Sequence, residues 1–170
     1  LALGRLHTNK AFDLLLKALV DLPRAFVWIA GEGPLKAELQ TQARKLGVDA
    51  RLRFLGWRDD VAALLAAADI FVCPSRIEPL GNVVIEAWAH DTPVVAAAAA
   101  GPQSLITPGE TGLLVPLEDA PALASSINTL IDNPALGARL AEAGRTAYQE
   151  QFTEAAIVER YLEFFEQVRS

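Results

Sequence analysis

The chain contains no methionine, one cysteine and two histidines, and acids outnumber bases by 21 to 15. Each shortage removes a class of function. With Cys73 alone, no intramolecular disulfide framework exists. Cys73 closes the apolar stretch Ile70-Phe71-Val72-Cys73, where a buried, inert thiol is expected. His7 and His90 are too isolated for a metal site or a Ser/His dyad, and loop polar roles are expected for both. A net charge of −6 argues against general nucleic-acid affinity, which needs a basic face. No apolar run is long enough to span a bilayer, and no N-terminal stretch reads as a signal peptide. A cytoplasmic setting is expected. Leu1-Ala2-Leu3-Gly4 reads as the end of a strand with no initiator methionine. That predicts a domain excised from the C-terminal part of a larger protein, whose absent half holds part of any active site.

What is present suffices for a core. The 170 residues are 52% hydrophobic and 21% charged, the balance of one globular domain spanning 1–170. Strand and helix patterns alternate. Strands are expected over Leu1–Leu3, Ala25–Ala30, Arg51–Leu55, Ile70–Cys73, Pro93–Ala97 and Gly112–Val115. Helices are expected over Lys10–Val20, Pro34–Leu46, Asp60–Ala68 and Gly81–His90, then Pro121–Ile131, Pro134–Glu150 and Glu154–Arg169. This order predicts an α/β fold, a Rossmann-like parallel sheet with helices on both faces and a helical C-terminal tail. In such sheets ligands bind beyond the carboxyl ends of the strands. The loops there are Arg5–Asn9, Gly31–Gly33, Gly56–Asp59, Ser75–Leu80 and Ala98–Gln103.

The most informative segment is Glu78-Pro79-Leu80-Gly81-Asn82-Val83-Val84-Ile85-Glu86. Two carboxylates flank a turn that opens an apolar helix. The helix N-terminus offers the N–H groups of Gly81, Asn82 and Val83 to a phosphate. Each carboxylate can accept hydrogen bonds from hydroxyls on neighbouring carbons. Glu86, among apolar neighbours, is expected to be partly buried and to suit a ribose diol; the plain alternative is a surface acid that complements the helix dipole. For Glu78 the plain alternative is a solvated loop acid. Arg5 and Lys10 can neutralise a diphosphate without metal, or be two solvated cations. Gly31-Glu32-Gly33-Pro34 lacks the third glycine of the dinucleotide fingerprint, because Lys36 stands there. It is either a tight turn or a place where a base or phosphate meets the backbone. Asp59-Asp60 reads as a helix N-cap cluster.

Together these residues resemble the C-terminal, nucleotide-sugar-binding domain of family 4 GT-B glycosyltransferases. The resemblance is carried in order by Gly4-Arg5-Leu6 with Lys10, by Ile29-Ala30-Gly31-Glu32-Gly33-Pro34-Leu35 and by Arg53-Phe54-Leu55-Gly56. It continues through Ala68-Asp69-Ile70-Phe71-Val72-Cys73-Pro74-Ser75, the Glu78/Glu86 pair, Thr92-Pro93-Val94-Val95 and Gly112-Leu113-Leu114-Val115-Pro116. It covers essentially the whole chain.

The resemblance implies one half of a GT-B fold and retaining transfer from a nucleoside-diphosphate sugar, in glycan or lipopolysaccharide biosynthesis. It implies no cofactor and no metal. By the same carry-over, Arg5 and Lys10 hold the diphosphate, Glu78 takes hydroxyls of the transferred sugar, and Glu86 takes the ribose. Leu80, Gly81, Asn82 and Val83 line the sugar and phosphate, while Gly31, Gly33 and Gly56 bound the nucleotide pocket. The partner it implies is an N-terminal acceptor domain outside this chain, through which any membrane contact would be made. Leu80 stands for a more frequent Phe, Ser104 for a frequent acid, and His90-Asp91 for a pair of small residues. The alternatives left open are a GT-B nucleotide-sugar epimerase and a non-catalytic nucleotide-binding module.

Overall fold

The computed structural model describes residues 1–169. Six parallel strands form the centre: β1 (Ala2–Leu3), β2 (Val27–Ala30), β3 (Leu52–Gly56), β4 (Phe71–Cys73), β5 (Val94–Ala97) and β6 (Leu113–Val115). They pair as two three-stranded ladders, β1-β2-β3 and β4-β5-β6. The ladders meet edge to edge: the Val72 amide donates to the Leu1 carbonyl at 2.8 Å, and the Leu1 amine donates to the Ile70 carbonyl at 2.9 Å. The spatial order is therefore β3-β2-β1-β4-β5-β6, with the chain reversing direction of travel between β1 and β4. That reversal is where doubly wound sheets open a crevice.

Side-chain alternation along the strands builds two cores, one on each face. Val72, Val95 and Ala97 pack with Phe12, Leu16, Leu123 and Ile127. The intervening Phe71, Cys73, Val94 and Ala96 pack with Leu65, Val84, Trp88 and Ile106. The first face is covered by α1 (Phe12–Ala18), α2 (Lys36–Lys45) and α6 (Ala120–Asp132). The second is covered by α3 (Val61–Ala66) and α4 (Asn82–Ala89), backed by α7 (Pro134–Gln151). Trp88 is the keystone there: its Nε1–H donates to the Thr111 carbonyl at 2.9 Å, and α7 presents Gly144 where any Cβ would collide with the indole. The tail helix α8 (Glu154–Arg169) buries no residue and exposes Tyr161, Leu162, Phe164 and Phe165.

The expected elements appear, most with shorter ends, while α6 and α7 run slightly longer than expected. Lys10 and Ala11 do not belong to α1. Thr8–Lys10 forms a 3-10 turn, and Ala11 then takes a left-handed conformation, φ 51°, before the helix starts. Pro34 precedes α2 by two residues and is not its first position. The segment expected as a loop over Ala98–Gln103 contains instead α5 (Ala100–Leu105). Gly101 and Pro102 inside it argue locally against a helix. Pro102 is tolerated because it sits in the first turn, where its missing N–H would have no intrahelical acceptor, and Gly101 because it is buried against the loop after β4. Among the described residues no helix is long and apolar enough to cross a membrane.

Candidate functional site

The loops after β1 and β4 lie side by side at the carboxyl ends of the strands. The amides of Arg76 and Ile77 donate to the Asn9 carbonyl at 2.8 and 3.2 Å, which binds the two loops along their backbones. The contact brings together groups 68 residues apart: Lys10 Nζ donates to Glu78 Oε2 at 2.5 Å. Glu78 is 9% exposed and so is no solvated loop acid. The Ser75 hydroxyl, also buried, stands 3.5 Å from the same carboxylate oxygen. A charge this secluded persists because a cation faces it directly.

The loop that carries Glu78 is locked from the other side. The Gly101 amide donates to the Glu78 carbonyl at 2.7 Å. A Cβ on Gly101 would lie 2.6 Å from that carbonyl oxygen. Gly81 has φ 72°, a left-handed conformation, and an added Cβ would stand 2.8 Å from Leu105 Cδ1. Only glycine meets both demands without strain. Gly81 is the N-cap of α4, and no side chain caps that helix. The leading N–H groups at Asn82 and Val83 are therefore open to an anion. Leu80 is exposed at the mouth of the loop.

Glu86 lies one turn further along α4. It is exposed, where partial burial was expected. Desolvation by nearby protein atoms still pushes its carboxyl above the usual carboxylate range. His90 pulls it down, Glu78 pushes it up, and Lys10 pulls it down. Those last two influences place Glu86 electrostatically in the same cluster as the Lys10–Glu78 pair. Arg5 is exposed on the loop after β1, and among the described residues no acid pairs with it.

The glycines of the loops after β2 and β3 have packing duties. A Cβ on Gly31 would run into the Gly4 carbonyl, and one on Gly33 would lie 2.5 Å from the Leu6 carbonyl oxygen. Leu6 donates to the Glu32 carbonyl and accepts from the Leu35 amide, so the loop after β2 lies directly on the loop after β1. Gly56 accepts from the Gly31 amide at 2.7 Å and turns left-handed at φ 72°. The sequence reading assigned no role to its neighbour Trp57, 80% exposed on the loop after β3. An indole directly after a turn glycine was the available signal. It also missed Arg76, whose partners are remote in sequence.

Other expectations fall as follows. His7 accepts from the Asn9 amide, and His90 Nδ1 contacts the Glu86 carbonyl; both are polar loop or helix-end groups. Cys73 is buried, and burial raises its thiol above the ordinary value. Asp60 occupies the N-cap of α3 but makes no cap bond, since Arg58 Nε donates to its carboxylate at 2.7 Å. Among the described residues no three His, Cys, Asp or Glu side chains converge as a metal site. A cavity of about 700 Å³ opens at the opposite, amino ends of the strands, around Leu1, Phe26, Trp28, Ile70 and Pro93, and includes none of these site residues.

The family model described as glycosyl transferases group 1 matches residues 1–133. A curated relative, the lipopolysaccharide core biosynthesis glycosyltransferase LpsE of Rhizobium meliloti, is 41% identical over 163 residues, covering 96% of this chain and 48% of LpsE. The chain spans about half the length of curated relatives it matches, LpsE among them. Among solved structures, Anabaena HepE in complex with UDP superposes with a TM-score of 0.92 at 30% identity, over 98% of this chain and 48% of HepE. The C-terminal domain of a group 1 glycosyl transferase (LpcC) from Francisella tularensis shares the fold, with a TM-score of 0.82 at 23% identity, over 90% of this chain and 85% of that one.

Proposed function

The chain belongs to the glycosyl transferases group 1 family, and on that premise we propose that it is the donor half of a retaining, metal-independent glycosyltransferase. The observation that carries this reading is the Lys10–Glu78 pair, whose acid stands on the loop that leads into the uncapped N-terminus of α4, with Glu86 one turn along that helix, at the point where the strand order reverses. A nucleoside-diphosphate sugar presents a diphosphate to the cations and helix amides, and hydroxyls to the two acids. Lys10, Arg5 and the amides of Asn82 and Val83 receive the negative charge that develops on the leaving diphosphate. Glu78 accepts from hydroxyls of the transferred sugar, and Glu86 from the ribose diol. Gly31, Gly33 and Gly56 hold the loops that bound the base.

Lys10 enters this role already engaged. In the free protein its ammonium is shared with Glu78, so a diphosphate gains the lysine by adding to the pair. An ammonium has three donors and can serve both. The acceptor site lies in the N-terminal half of the whole protein, which acts in the cytoplasm or at the inner face of the membrane. The likeness to LpsE makes a lipopolysaccharide core saccharide the first acceptor to try. This half alone binds the donor nucleotide weakly and does not turn over.

HepE was crystallised with UDP, so UDP is the first ligand to test. Calorimetric titration of the chain with UDP, GDP and ADP, beside Glu86→Ala, decides the matter. Binding of one nucleotide that disappears in Glu86→Ala supports the donor site. Binding that survives the substitution moves the ribose elsewhere and refutes the assignment.

A further inference from the structure

Arg76 makes more polar contacts than any site residue assigned above. Its guanidinium donates to both carboxylate oxygens of Asp13, at 2.7 and 2.8 Å, in a bidentate fork. It also donates to the Thr8 carbonyl at 2.9 Å and pairs with Glu118 at 2.5 Å. Its own amide donates to the Asn9 carbonyl at 2.8 Å. Asp13, at the start of α1, is 63 residues away and Glu118, on the loop after β6, is 42, so distant segments are gathered on one side chain.

These contacts surround Lys10. Thr8 and Asn9 are the two residues before it, and both present carbonyls to Arg76. Asp13 is in the first turn of α1, just after it. Ala11, the residue that follows Lys10, is buried in a left-handed conformation at φ 51°. Such a backbone persists in a non-glycine residue only where its surroundings over-determine it. Glu118, the third partner, is likewise left-handed, at φ 61°. On the other side, Arg76 is two residues from Glu78. One planar fork therefore spans the two segments whose tips, Lys10 and Glu78, meet at 2.5 Å. Lysine could not replace it, because only a guanidinium engages Asp13 with two parallel bonds while still reaching Thr8 and Glu118.

We propose that Arg76 is a positioning residue that sets the Lys10 ammonium for the donor diphosphate by clamping the loop after β1 to the loop after β4. The proposal rests on the donor-site reading above, and it assigns Arg76 no contact with the donor. It separates two parts of the ligand. Displacing Lys10 should weaken recognition of the diphosphate and leave recognition of the nucleoside unchanged.

The test is a double-mutant cycle on this chain with UDP and uridine as probes, followed by NMR and calorimetry. Arg76→Met should raise the Kd for UDP about tenfold, the scale of one charge-assisted bond, and leave uridine unchanged. In a Lys10→Gln background the same substitution should add nothing. A parallel fall in UDP and uridine binding, or a full Arg76→Met loss on Lys10→Gln, overturns the proposal. Asp13→Asn weakens the same fork from the other end and should show the same pattern at smaller size; it decides the matter if Arg76→Met does not fold. If the wild-type chain binds GDP or ADP in place of UDP, the cycle runs with that nucleotide and its nucleoside; if it binds none of the three, the donor-site reading itself fails, and trace acetylation of lysines read by mass spectrometry then tests the clamp alone. Lys10 acetylated several-fold faster in Arg76→Met, with Lys17 and Lys36 unchanged, supports the clamp, and equal Lys10 rates refute it.

Discussion

Replacing Lys10 by methionine should cost stability out of proportion to a surface lysine. The Lys10 side chain is 22% exposed and the Glu78 side chain 11%, with 2.5 Å between the charged atoms. Methionine keeps the packing of the alkyl stem, which lies against Gly4, and deletes only the charge. What remains is a secluded carboxylate whose nearest donor is the Ser75 hydroxyl at 3.5 Å. Breaking a fully buried pair from one side costs about 3–5 kcal/mol. Residual exposure of both partners lowers the expectation to about 2–3 kcal/mol. For a chain of this length that corresponds to a fall in Tm of roughly 5–10 °C. The second half of the prediction identifies the cause. Glu78→Gln in the Lys10→Met background should recover about 1 kcal/mol or more, because an amide carries no charge to strand. Urea melts of the wild type, both single variants and the double variant measure all four corners. A Lys10→Met cost under about 0.5 kcal/mol, typical of an exposed lysine, would refute the reasoning, and so would strict additivity of the two substitutions.

Gly81→Ala should destabilise the chain by about 1–3 kcal/mol, since it combines a left-handed φ of 72° with a Cβ 2.8 Å from Leu105. A thermal melt within 1 °C of wild type would contradict it. Asp13 supplies a pH dependence. The hydrogen bonds from Arg76 hold its carboxyl below the usual carboxylate value. The unfolded chain takes up this proton first as pH falls, so the contribution is present at neutral pH and is lost as pH falls from the unfolded value through the folded one. Asp13→Asn should flatten that acid limb in urea melts at fixed pH. An unchanged slope in Asp13→Asn would show that Asp13 is not the titrating group.

Much of this molecule is legible in the order of its residues. Strand segments such as Phe71–Cys73 and Val94–Ala97 read as buried runs because the sheet is covered on both faces. The leucine spacing of Phe12–Ala18 and the Pro-opened helices at Ala120 and Pro134 follow from local periodicity and capping. The Glu78–Gly81–Glu86 segment declares itself because its parts are close in sequence: an acid, a left-handed glycine and a helix start within nine residues. The helix over Ala100–Leu105 was hidden, because its glycine is set by burial against the Glu78 loop and its first-turn proline follows that glycine as a turn signal would.

The order of residues by itself determined the alternation of strands and helices, and hence a sheet whose strand ends carry the loops with Lys10, Glu78 and Glu86. Those properties come from contacts within a turn or two, which periodicity and capping report directly. Only the tertiary structure decided that Lys10 grips Glu78 across 68 residues, that Arg76 ties distant segments into one frame, and that Gly31 and Gly33 are small to admit Gly4 and Leu6. A carboxylate on a loop carries no mark of whether it will face water or a lysine. That choice is made when β1 and β4 come side by side and their loops share backbone hydrogen bonds, a condition set by the whole sheet and by no segment of it.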